Sequence, residues 1–308
     1  MKRIGVFFKN HWWHIFPLIL PIAILLCGYI LIGVSPFGEK SVLIADLNSQ
    51  YVDYFSSFRD VLTGNQSFLY NWTAGMGLNY LGIFSYYLSS PFTFLILLFP
   101  KAEITQAILL MILLKIGCSG LTFSILARRK FQLGAVGSTL FSLLWALSSY
   151  AVVYTSNPMW LDAMIFLPLL ILGVDAMIRE GRFLLFCVIL FCTFVTNYYI
   201  SYMVGIFAFL YFLVTALPQL QRRDFGKKLG LFLGASVVTI CAAAFLLLPS
   251  LFSITDSYIS GDALGLRMSL TMEPLELLPR MFFGTYEDLT YGLPNIACGL
   301  IVLFMLPL

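Results

Sequence analysis

Long, predominantly apolar runs alternate with short polar breaks along this chain. The apolar stretches cover residues 15–34, 104–126, 133–155, 160–178, 183–197, 198–217 and 229–249, and another begins near 292. Crossing a hydrocarbon core takes about 20 apolar residues, so these runs are predicted membrane-spanning helices. The stretch 84–99 is shorter and is broken by Ser89-Ser90-Pro91, so length alone does not set its course. The first run follows Met1-Lys2-Arg3 and resembles a signal peptide, but it is too long and lacks a small-residue cleavage site. It reads as an uncleaved first span. Residues 295–308 are apolar but too few to cross, so the chain is expected to be one transmembrane domain of a longer protein.

Basic residues set the expected sidedness. They gather at the N-terminus, at Arg128-Arg129-Lys130, at Arg179 and Arg182, and at Arg222-Arg223 with Lys227-Lys228. Cytoplasmic loops carry the excess of Lys and Arg. All four clusters fall on the cytoplasmic side only if 84–99 dips in and returns, or lies along the surface. The N-terminus is then cytoplasmic, and the outer segments are 35–103, a short turn at 157–160, and 250–291. Most carboxylates lie in these outer segments, with Asp162 at the membrane boundary.

Composition agrees. Hydrophobic residues make up 60% and charged residues 11%, against about 25% charged in a soluble domain. An all-α polytopic membrane protein follows. The basic residues form short clusters and no stripe, so nucleic acid is not an expected partner; membrane lipids are. The six cysteines all fall in apolar segments and read as small hydrophobes. His11 and His14, beside Trp12 and Trp13, suit an interfacial belt better than a metal site.

The first outer loop holds the candidate chemistry. Asp46 lies twelve positions past the first span, where a helix empties into water. At the mouth of a bundle its carboxylate would be partly desolvated and raised in pKa, which suits a base working near neutrality. Asn48 is a candidate cap for a helix that follows. Tyr51, Phe55, Phe58 and Leu62 recur at helical spacing, and Asp46, Gln50, Asp53, Ser57 and Asp60 lie opposite. This predicts an amphipathic helix on the membrane surface. For Asp53 and Asp60 the plainer reading is a solvated face. Farther on, in residues 71–80, Trp72 and Tyr80 are candidate platforms for sugar rings, and the glycines would allow close backbone approach. Two charges sit inside spans. Lys115 is mid-span, where charge is expensive and usually functional; it would pair with a carboxylate or meet a phosphate in a water-filled cavity. Asp175 is expected to pair with Arg179 one turn on.

Asp46-Leu47-Asn48-Ser49-Gln50-Tyr51, the 71–77 segment and Tyr86-Tyr87-Leu88-Ser89-Ser90-Pro91-Phe92 together resemble the bacterial YfhO family of membrane proteins. Asn157-Pro158-Met159-Trp160-Leu161-Asp162 and Thr196-Asn197-Tyr198-Tyr199 extend the resemblance. It implies a GT-C-like transmembrane helix bundle whose long first extracytoplasmic loop carries juxtamembrane helices. It further implies a glycosyltransferase that moves a sugar from a polyprenyl-phosphate carrier to lipoteichoic acid or another cell-envelope polymer. Asp46 then stands as the catalytic base and Asp162 as a second acidic residue. Gln50, Tyr51, Arg59, Trp72, Tyr80, Lys115, Asn157, Trp160 and Asn197 are the expected substrate-binding residues. The departing phosphate needs positive charge, for which Arg59, Lys101, Arg267 and Arg280 are available. A Mg²⁺ or Mn²⁺ ion between Asp46 and Asp162 is a further option. The rival class is a transporter or flippase for lipid-linked or envelope precursors. It would show broken helices and midplane charges. A third is a non-catalytic scaffold. The gathering of carboxylates outside the spans favours surface chemistry.

Overall fold

A computed structural model describes residues 2–74, 77–218, 221–255, 278–282 and 296–297; for 2–14, 222, 254 and 255 it describes the backbone alone. Helix α1 runs Lys2–Ile32. A π-turn, Leu47–Tyr51, leads into α2, Val52–Leu62, and a two-residue hairpin pairs β1, Tyr70–Asn71, with β2, Leu78–Asn79. Helix α3, Tyr80–Ile83, continues as a π-turn, Phe84–Leu88, and a 3₁₀ helix, Pro91–Leu98, leaves it at 96°. Then come α4 Ile104–Lys130, α5 Ala135–Ala146, α6 Ser149–Val153, α7 Leu161–Glu180, α8 Leu184–Thr196, α9 Tyr198–Ala216 and α10 Arg222–Thr255. Among the described residues, five helices are long and apolar enough to cross a membrane, and up to seven if each of the two bent pairs counts as one span.

Helix α4 is the spine and packs against α1, α5 and α7. Against α1 the contact is close because Gly117 and Gly120 present no side chain. A Cβ on Gly120 would run into the Pro17 carbonyl, and one on Gly117 would lie 2.7 Å from that of Leu18. Small residues let helices approach without a polar driving force. Proline is tolerated where a freed carbonyl finds another donor. Pro168 removes the N–H that would bond Met164, and the Trp145 indole donates to that carbonyl at 3.1 Å.

Two short hairpins meet inside the bundle. The 80–98 segment begins and ends on α2: Phe58 packs on Phe84 and Phe94, and the Arg59 Nε–H donates to the Phe99 carbonyl at 3.0 Å. Both limbs therefore lie against α2, on either side of the 96° bend. Its tip, Ser89-Ser90, is buried. The other hairpin is α8 and α9, which turn at Asn197. Ser89 Oγ donates to the Thr196 carbonyl at 3.1 Å, and Asn197 Nδ2 donates to the Tyr86 carbonyl at 2.9 Å.

Three sequence expectations need correction here. The run 183–197 is expected to span, but Asn197 ends its helix: it is 2% exposed, its amide caps Ile200 N–H and it holds the 80–98 tip. Because Asn197 stops it there, α8 has only 13 residues, short of a full crossing. The stretch 133–155 is a broken pair, α5 with residues 149–156, bent by 46°. Asp175 reaches across to α4 and α9 and not along its own helix. Lys130 Nζ lies 2.7 Å from its carboxylate and Tyr211 Oη donates to it at 2.7 Å, while Arg179 is exposed.

Candidate functional site

Asp46 is solvent-exposed at the start of the Leu47–Tyr51 turn. Ala45 before it holds φ of +47°, a left-handed backbone that costs an L-residue roughly 1–2 kcal/mol. That bend brings the chain out of the loop and straight into the turn. An acidic residue at a helix start is ordinarily a cap, but the Asp46 side chain makes no capping hydrogen bond. Instead Tyr51 Oη donates to Asp46 Oδ2 at 3.3 Å, and Asn157 Nδ2 donates to Tyr51 Oη at 3.3 Å. Asn157 is itself fixed by Ser156 Oγ, which donates to its Oδ1 at 2.9 Å. Burial, and secondly the charge of Asp46, push the Tyr51 phenol well above its ordinary pKa, so its proton stays and points at the carboxylate. The expected partial desolvation of Asp46 is not found, since the Leu47–Tyr51 turn seats Leu47 and Tyr51 in the core and leaves Asp46 outside. Asn48 lies within that turn and is not its cap.

Aromatic rings extend from this point. Tyr51 and Tyr54 both pack on Tyr87, at 5.1 and 4.8 Å between centroids. Tyr87 meets Tyr86 at 4.5 Å, Tyr86 meets Tyr198 and Tyr199 at 5.5 and 6.2 Å, and Tyr199 meets Trp160 at 6.3 Å. Tyr154 and Tyr150 complete the series, with Tyr154 5.1 Å from Trp160 and 4.8 Å from Tyr150. The 80–98 hairpin, the 149–160 turn and the start of α9 each contribute.

Asp162 lies elsewhere. It is 0% exposed and its Oδ2 is 2.7 Å from Lys115 Nζ, with Ser90 Oγ donating to Oδ1 at 3.0 Å. Lys115 also donates to the Pro158 carbonyl at 2.8 Å. At 1.5 Å per residue, Lys115 is about 16 Å along α4 from its start. Asp162 is therefore buried among the helices and closed to solvent, because the 157–160 turn is itself tucked inside. Of the two outcomes expected for Lys115, pairing with a carboxylate is the one observed.

The remaining residues divide clearly. Tyr51, Asn157 and Trp160 join the Asp46 network or its rings. Gln50 donates to Tyr54 Oη at 2.9 Å, beside them. Trp72 is 77% exposed and stacks its edge on Tyr70, free to meet a ligand. Tyr80 is 0% exposed and packs on Phe68, so it offers no platform for a sugar. Arg59 and Asn197 tether the 80–98 hairpin. Lys101 pairs with Asp60, and Arg280 is buried. Arg267 lies outside the described residues, as do Gly75 and Met76. Gly77 keeps φ of +108° beneath the Tyr70 ring, a position that only glycine fits.

Tyr54, Tyr150 and Tyr154 carry no signal of their own in the sequence, and Ser90, Tyr86, Tyr87, Tyr198 and Tyr199 stand there only within motifs, with no site role. The paired tyrosines at 86–87 and 198–199 were a usable signal. The donor set does not fit a cation shared by Asp46 and Asp162, since both Asp162 oxygens are engaged. No group of three or more His, Cys, Asp or Glu side chains gathers among the described residues.

These features define an all-α polytopic membrane protein with a polar and aromatic site at one end of its bundle. The chain matches the family model described as "Bacterial membrane protein YfhO" over residues 17–308, and it belongs to that family. No curated protein and no solved structure matches it.

Proposed function

We propose that this protein is a membrane glycosyltransferase of the GT-C kind, moving a sugar from a polyprenyl-phosphate carrier to an envelope polymer such as lipoteichoic acid. The observation that carries the reading is Asp46: an exposed carboxylate, unused in capping, with one oxygen held by a buried phenol and the other open. Asp46 accepts the proton of an acceptor hydroxyl as that oxygen bonds to the anomeric carbon. The bond from that carbon to the carrier phosphate breaks, and the phosphate leaves with the electron pair. Tyr51 keeps the carboxylate aimed, and Asn157 keeps Tyr51 aimed. Asp162, paired and buried, is assigned to holding the bundle together.

In this reading the Asp46 end faces outward and the N-terminus and the Lys130 end face the cytoplasm. That orientation follows from the Lys and Arg clusters together with an 80–98 segment that returns to its own side. Transport is the weaker reading because Lys115 and Asp162 neutralise each other in a sealed contact. The test is loss of the full-length gene product followed by compositional analysis of wall polymers, with wild-type and Asp46→Asn genes returned separately. One sugar substituent disappears and only the wild-type gene restores it. Unchanged polymers in the deletion strain would overturn the proposal.

A further inference from the structure

Phenylalanine outnumbers tyrosine 29 to 16 in this chain, yet the rings that lead away from Tyr51 beside Asp46 are tyrosine and tryptophan. Phenylalanines pack elsewhere, Phe58 with Phe84 and Phe94, Phe68 with Phe84 and Tyr80, and Phe186 and Phe212 with Phe232. The arc from Tyr87 through Tyr86, Tyr199, Trp160 and Tyr154 to Tyr150 has ring contacts of 4.5 to 6.3 Å and consists of tyrosine and tryptophan throughout. A core that only needed apolar volume would use phenylalanine, since each buried phenol requires a partner. These rings are not fully buried: five are half-buried and Tyr199 is 44% exposed. Side chains with an apolar face and a polar tip, held rigid and left partly open, suit a ligand of the same mixed character.

We infer that the Tyr86–Tyr199–Trp160 arc binds the sugar of a lipid-linked sugar phosphate, with ring faces against the sugar's C–H faces and phenols against its hydroxyls. This rests on the transferase reading and adds to it the element that distinguishes a glycosylated carrier from a bare one. A pyranose offers apolar C–H faces and an equatorial rim of hydroxyls, which matches rings that carry hydroxyls at their edges. An isoprenoid tail has nothing for the phenols to bond and would leave them unsatisfied. The arc begins at Tyr87, which touches Tyr51, the residue that donates to Asp46. A sugar on the arc is therefore next to the proposed base. The arc is built by three elements distant in sequence, two of them tied by the Asn197–Tyr86 hydrogen bond, so its geometry is set before the ligand arrives.

The test uses the purified full-length protein in detergent and short-chain polyprenyl phosphates carrying glucose, galactose or N-acetylglucosamine, each against the same lipid phosphate without sugar. Binding is measured on Asp46→Asn protein, so that transfer does not consume the probe. At least one glycosylated lipid is expected to bind roughly tenfold more tightly than the bare one, as loss or gain of an aromatic anchor does at other sites. Tyr199→Ala and Tyr86→Ala should reduce that margin to about twofold, while Tyr199→Phe, which keeps the ring face and loses the phenol, should give an intermediate margin. Both lipids are read on one preparation, so partial misfolding lowers both and leaves the margin interpretable. Equal binding of glycosylated and bare lipids, or a margin that survives both alanine variants, overturns the inference. A margin lost in the alanine variants of a protein that transfers no sugar would refute the transferase and leave the arc standing. Transfer by the wild type with an unaffected margin would do the reverse.

Discussion

Removing the Asp162 carboxylate should destabilise the bundle, and removing its partner as well should restore its stability. In Asp162→Asn the Lys115 ammonium, 0% exposed and about 16 Å along α4, keeps the Pro158 carbonyl but loses its counter-charge. Breaking one half of a buried pair costs about 3–5 kcal/mol. The Ser90 contact changes with it, and Ser90 caps the 3₁₀ limb of the 80–98 hairpin through the Phe92 N–H, so the loss belongs at the upper part of that range. Thermal unfolding of the full-length protein in detergent should move down by on the order of 10 °C. Replacing both partners by apolar residues of similar volume is often neutral or stabilising, so Lys115→Met with Asp162→Leu should recover most of the wild-type midpoint. The double variant also separates two roles for Asp162. If it only ties α4, α7 and the hairpin, sugar transfer returns with stability. A single Asp162→Asn variant as stable as wild type would refute the reasoning about the pair. A double variant that is stable but inactive would show that Asp162 works in the chemistry.

Other consequences are smaller. Trp145→Phe should lower stability by about 1–3 kcal/mol in the same unfolding assay, because the Met164 carbonyl freed by Pro168 loses its donor. Ala45→Gly should stay within about 1 kcal/mol of wild type, relief of the left-handed backbone offsetting glycine's entropy. Ala45→Val, which tolerates φ of +47° worse, should lower both the unfolding midpoint and transfer. Cysteines placed at exposed Thr63 and Arg129 should react with a membrane-impermeant maleimide from opposite sides of intact cells, Thr63 from outside. Labelling of both from one side would contradict the returning course of 80–98.

Much of the fold was legible because lipid leaves few options for backbone. Apolar length placed α1, α4, α7, α9 and α10, and the break at Ser89-Ser90-Pro91 marked where the 80–98 segment bends by 96°. Depth was not legible. Nothing in the composition of 157–162 distinguishes a turn open to solvent from one tucked among helices, so the burial of Asp162 is not legible there. Partner choice failed for the same reason. Asp175 has a basic neighbour one turn away, but its helix directs it at Lys130 and Tyr211 from two other helices. In the site, Asp46 and Tyr51 were visible as polar and aromatic positions flanking one turn. The arc was not, since Tyr86, Tyr150, Tyr154 and Tyr199 come from segments whose proximity depends on two hairpins meeting inside the bundle.

The central claim is that Asp46 is the base for sugar transfer. The direct measurement is transfer of radiolabelled sugar from a polyprenyl-phosphate donor to envelope acceptor by the reconstituted full-length protein, comparing wild type with Asp46→Asn and Asp46→Glu. Loss of general-base assistance typically costs 10²–10⁴-fold. The Asn variant should therefore fall at least about a hundredfold, with unchanged unfolding temperature and donor binding, and the Glu variant should retain measurable transfer. An Asn variant that transfers sugar at the wild-type rate would contradict the account.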